Sequence, residues 1–70
     1  MNRTPVSSTT FASVGYDEAS RTLEAEFVSG TVYQYFGVPP EVHRAFVESS
    51  SLGNYFGTHI RNVYRFAKMS

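Results

Sequence analysis

The chain has no cysteine, no net charge and no long apolar run, and each absence removes a class of protein. Without cysteine there are no disulfides, zinc ribbons, thiolate metal sites or thiol-redox motifs, a usage that fits a reducing compartment. Met1 to Thr10 is polar, holds a proline and lacks the apolar centre of a secretion signal. No later stretch approaches the roughly 20 apolar residues of a membrane span. These features predict a soluble, cytoplasmic protein with no membrane partner. Six Lys and Arg balance six Asp and Glu, so the global basicity of a strong nucleic-acid binder is missing. There is no nucleophile elbow and no phosphate-binding glycine loop.

What is present begins with size. Seventy residues make one small domain, which buries only about 60% of its unfolded surface, and leave no room for a second. No internal repeat or low-complexity tract interrupts it. The charge is unevenly placed. All six acidic residues (Asp17, Glu18, Glu24, Glu26, Glu41 and Glu48) precede Ser49, whereas Ser49 to Ser70 carries Arg61, Arg65, Lys68 and His59 and no carboxylate side chain. The C-terminal end is locally basic.

Thr22 to Phe36 is the most strongly patterned stretch. Leu23, Ala25 and Phe27 alternate with Thr22, Glu24 and Glu26, the period of a half-buried strand. Ser29-Gly30 then reads as a two-residue hairpin loop, which sets Val28 opposite Thr31 and pairs Phe27 with Val32, Glu24 with Tyr35 and Leu23 with Phe36. On that register Leu23, Phe27, Val32 and Phe36 form the core wall. Tyr33 and Tyr35 are displayed on the other face between Glu24 and Glu26.

Residues 1–9 read as a flexible lead-in and residues 10–68 as the single domain. Phe11 to Tyr16 alternates as a first strand, with Ala12, Val14 and Tyr16 on one side. Pro39-Pro40-Glu41 marks a helix start, since proline suits the first turn and a carboxylate there meets the helix dipole. Val42, Ala45 and Phe46 follow at helical spacing. Ser51 is placed to cap a second short helix carrying Leu52, Tyr55 and Phe56, weakened by Gly53 and Gly57. Residues 62–67 permit a last strand. The expected architecture is α+β: an antiparallel sheet of three or four strands, with two short helices adding Val42, Phe46, Leu52 and Phe56 to its Leu23 face.

Each candidate site has an ordinary alternative beside it. Tyr33 and Tyr35 suit a stacking platform for unpaired bases, or plain sheet packing covered by another element or subunit. Arg61 and Arg65, about 13 Å apart on one strand face, suit phosphate contacts, or else internal pairing with Glu24 and Glu26. Ser51 and Gly53 suit a weak anion site at a helix N-terminus, or simple capping. Ser51 and Arg61 fall about 15 Å apart along an unbroken helix and so count as separate features. Catalysis finds no support. Glu24 and Glu26 are the only carboxylate pair adjacent on one strand face and lack a cleft, and His43 and His59 sit on different elements without metal-ligand spacing. The reading is therefore a non-enzyme with no metal and no cofactor.

Val14-Gly15-Tyr16-Asp17, Thr22-Leu23-Glu24, Phe27, Gly30, Tyr33-Gln34-Tyr35, Val38-Pro39, Ser51, Gly53, Tyr55-Phe56, Ile60-Arg61 and Tyr64 together resemble the KTSC family. That family takes its name from the C-terminus of some lysyl-tRNA synthetases and also occurs alone in many bacterial proteins. Gly57 stands where the family often has asparagine. The resemblance implies the α+β fold, a bacterial source and, through the synthetase, an association with RNA. The function expected is a small RNA-binding or RNA-associated accessory module, for tRNA or single-stranded RNA, using Tyr33, Tyr35, Arg61 and Arg65. Its rival is a protein-interaction or self-association module using the same aromatic face.

Overall fold

The hairpin at Gly30 decides the faces of the sheet. In the computed structural model, which describes residues 1–70, the Phe27 amide donates to the Thr31 carbonyl at 2.8 Å and the Gly30 amide donates to the Phe27 carbonyl at 2.8 Å. The loop is thus the three residues Val28, Ser29 and Gly30 rather than two. Gly30 takes a φ of 96°, the left-handed conformation that ends a turn of this length. Strands β3 (Thr22–Phe27) and β4 (Val32–Phe36) pair Leu23 with Tyr35, Glu24 with Gln34, Ala25 with Tyr33 and Glu26 with Val32. This is one residue away from the two-residue register, and a one-residue slip moves every side chain of β4 to the other face.

The expected core wall is corrected accordingly. Tyr35 is buried with Leu23, while Phe36 is 39% exposed on the opposite face. Val32, though buried, shares that opposite face with Phe36. Leu23 and Phe27 keep their expected side, Phe27 packing against the core from its edge.

Three further strands complete the sheet: β1 (Arg3–Pro5), β2 (Phe11–Asp17) and β5 (Arg65–Lys68). All neighbours are antiparallel in the order β1-β2-β3-β4-β5. There are five strands, not three or four, because the segment expected to be a flexible lead-in supplies β1. The simple alternation expected in β2 is also broken. Phe11 pairs with Phe27 but Ser13 with Glu26, so Ala12 is an extra residue and Phe11 turns to the same side as Val14 and Tyr16.

Helices α1 (Pro40–Glu48) and α2 (Leu52–His59) lie between β4 and β5 in the chain and cover one face. Pro40 and Glu41 start α1 as their chemistry favours, and Ser49 closes it with its hydroxyl donating to the Phe46 carbonyl at 2.7 Å. The Ser51 hydroxyl caps α2 by accepting from the Asn54 amide at 3.3 Å. Phe46 and Phe56 are the buried helix anchors, and Val42 and Leu52 pack beside them. Phe56 sits at the hub, with ring centroids 5.1 Å from Phe11, 5.8 Å from Phe27 and 5.1 Å from Tyr35. Edge-on ring pairs of this kind add about 0.5–1.5 kcal/mol each beyond the area they bury.

The other sheet face carries no helix and is organised by polar groups. One row crosses it: Arg3, Gly15, Glu24, Gln34 and Ala67 are successive cross-strand partners. Gly15 has no side chain to obstruct the row, so Arg3 reaches over it to donate to Glu24 Oε2 at 2.7 Å, while Gln34 Nε2 donates to Glu24 Oε1 at 2.7 Å. Glu26 accepts from the Ser13 hydroxyl at 2.7 Å. Both carboxylates of β3 are therefore held on this face.

A candidate single-stranded nucleic-acid groove

The shift of β4 turns Tyr33 and Tyr35 toward the helices, and there they join the largest cavity of the molecule. It is a groove of about 820 Å³ running along α2, with Tyr33, Tyr35 and Phe66 along the sheet side, Ser51 and Gly53 toward one end and Arg61 toward the other. Ser51 and Arg61 thus border one cavity although α2 is unbroken between Leu52 and His59, which corrects their treatment as separate features. About 12 Å of helix, eight residues at 1.5 Å each, is the wall between them.

The expected residues differ in what they offer. Tyr35 is only 4% exposed, its ring edge-on to Phe56 at 86°, so it supports the wall and has no free ring face. Burial pushes its hydroxyl pKa above the ordinary 10.0, the neighbouring Tyr33 adds to the rise, and the Arg61 charge opposes it. Tyr33 is half-buried and meets Phe27 and Phe66 edge-on, at 89° and 81°. Arg61 lies in the turn after α2 rather than in a strand. Arg65 is on the far side of the sheet: it pairs with Phe36, one position from the Tyr35–Phe66 pair. The expectation that Arg61 and Arg65 act on one strand face is corrected on both counts. Neither arginine pairs with Glu24 or Glu26 either; the one ion pair in the structure is Arg3 with Glu24. At the Ser51 end the hydroxyl is engaged in capping, which satisfies an α2 amide without a ligand.

Phe66 was missed in the sequence and is 58% exposed beside the tyrosines. Strand alternation would have found it, given the correct register, because the residue opposite Tyr35 must share its face. Arg61 is the only charged side chain lining the groove, and no carboxylate does. Glu24 and Glu26, whose charge would repel a phosphate, lie on the other face of the sheet from the tyrosines. His43 and His59 are elsewhere, His43 stacked on Tyr16 at 4.3 Å and His59 tilted by 38° against Tyr55 at 4.4 Å, and burial holds the His43 pKa below 6.5.

A five-stranded antiparallel sheet backed by two helices, with an aromatic groove along the second, defines a small α+β class. The model of the KTSC domain matches residues 7–64, and the chain belongs to that family. The crystal structure of a KTSC domain protein from Yersinia pestis superimposes with a TM-score of 0.95 at 38% identity, covering 99% of this chain and 97% of that one. An uncharacterised protein of Stutzerimonas stutzeri is 46% identical over 56 residues, 80% of this chain and 79% of its own. The lysine–tRNA ligase of Nostoc punctiforme is 38% identical over 55 residues, which are 79% of this chain but 10% of the ligase. Similarity to that ligase is confined to a tenth of its length. No helix of the chain is long and apolar enough to cross a membrane.

Proposed function

We propose that this KTSC domain is a non-catalytic, cytoplasmic RNA-associated module whose α2 groove is the contact surface, with tRNA the first RNA to consider. The observation that carries the reading is the composition of the groove: exposed aromatic surface, one arginine and no carboxylate. A polyanion with flat bases is the ligand class such a surface complements. The family's occurrence within lysine–tRNA ligases supports the same direction. Arg61 supplies the phosphate contact and Tyr33 the aromatic neighbour, whereas Tyr35 shapes the site and Arg65 lies outside it.

The test is an NMR titration of isotope-labelled protein with tRNA at low and physiological salt. Saturable shifts gathered at Tyr33, Arg61 and Phe66 are expected, and Arg61→Glu should weaken binding at least about tenfold and reduce the salt dependence by about one phosphate. Binding unaffected by Arg61→Glu removes this groove from the mechanism.

One observation favours the rival reading. Phe66, 58% exposed beside the half-buried Tyr33, is an aromatic patch that a second protein chain would also cover. Sedimentation at two concentrations separates the readings, because self-association through the patch requires a mass that rises with concentration.

A further inference from the structure

We infer that the groove takes an unpaired nucleobase stacked on the open side of Phe66, with the adjoining phosphate on Arg61; this rests on the RNA reading and narrows it to single-stranded ligands. Phe66 lies on the helix side of β5, yet the rings packed against it are Tyr33 and Tyr35, and no aromatic side chain of either helix reaches it. Tyr33 holds it edge-on at 5.8 Å and Tyr35 at 5.6 Å with 34° between the planes. Tyr35 is in turn fixed against Phe56 in the core. The Phe66 ring is thus backed by a rigid aromatic wall and still 58% exposed beside a cavity.

A ring held in place and left open is a platform for another flat π-system, and every base offers such a face whatever its sequence. The charge pattern selects a nucleotide among flat ligands. Arg61 has no carboxylate partner and lines the same groove, while Asn54 and Asn62 add neutral amide donors and acceptors suited to a ribose or a base edge. A base inside a helix has both faces covered by its neighbours and has none to give Phe66, so duplex RNA is not the ligand.

The experiment uses the full chain and three probes compared at equal phosphate concentration: heptauridine, a strand of the same length and charge with abasic riboses, and a blunt-ended self-complementary duplex with no unpaired nucleotide. Heptauridine should shift the Phe66 ring protons, and removing its bases should weaken binding by about 5- to 150-fold, the factor for one stacked base. Phe66→Ser should cost the same factor for heptauridine and leave the abasic strand unchanged, with Phe66→Tyr restoring the loss. The probe comparison on the unaltered protein decides the matter even if a variant fails to fold. Abasic or duplex RNA binding as tightly as heptauridine overturns the stacked-base inference and leaves the RNA reading intact. No binding by any probe at low salt overturns both.

Discussion

Truncating two neighbouring aromatic residues of β4 separates the observed register from its one-residue alternative. Tyr35 is 4% exposed and packed on Phe56, so Tyr35→Ala opens a void in the core and should cost about 3–5 kcal/mol, as for other buried aromatics. Phe36 is 39% exposed on the face without helices, where covering about three-fifths of a phenylalanine contributes about 1–2 kcal/mol. A 70-residue domain has about 3.5–10 kcal/mol in total, so Phe36→Ala should remain folded while Tyr35→Ala is marginal or unfolded. Urea unfolding followed by circular dichroism measures the difference. With a denaturant slope of about 1 kcal/mol/M, the two midpoints should differ by roughly 2 M. The reverse order, with Phe36→Ala the more damaging, would refute the three-residue loop and place Phe36 in the core.

Two other expectations concern the open sheet face and pH. A Cβ added at Gly15 would lie 2.6 Å from the Asn2 carbonyl oxygen and 3.0 Å from Arg3 Cγ, so Gly15→Ala should lift β1 and break the Arg3–Glu24 pair, costing about 1–3 kcal/mol. Hydrogen exchange should then show lost protection at the β1–β2 edge alone; unchanged β1 amides would contradict the close approach. Burial raises the hydroxyl pKa of Tyr16 and of Tyr35 above 10.0, so their contribution is complete below pH 10.0 and is lost as pH rises through the folded values. Burial lowers the His43 pKa below 6.5, so its contribution is complete above pH 6.5 and is lost as pH falls through the folded value. Urea midpoints should therefore fall as pH drops below 6.5, and His43→Gln should flatten that fall; a fall that is the same with and without His43 would count against the buried imidazole.

Much of the architecture is legible from residue chemistry because it is local. The alternation of β3, Pro40 and Glu41 at the start of α1, and Ser51 as the cap of α2 each need only neighbours within one turn or one strand. The groove is partly legible for the same reason: Tyr33, Arg61, Ser51 and Gly53 stand out as residues, and the structure gathers them along α2. What misleads is the hairpin. Ser29-Gly30 resembles a two-residue loop, but Gly30 at φ 96° closes a three-residue one, and that single residue exchanges Tyr35 for Phe36 in the core. β1 is illegible because Arg3–Pro5 is exposed throughout and carries no apolar alternation; Arg3 is recruited by Glu24, 21 positions away.

The sequence by itself determined the class of fold, the identity of the elements from β2 to α2 and the family, since short-range periodicity and capping chemistry act within a few residues. Tertiary structure alone decided which face the tyrosines take, that Arg61 joins them while Arg65 does not, and that Phe66 completes the groove. Those facts depend on strand register and on where the chain returns after α2. Strand pairing is a long-range choice in which a slip of one residue reverses every side chain, and nothing in the local pattern of β4 resolves it.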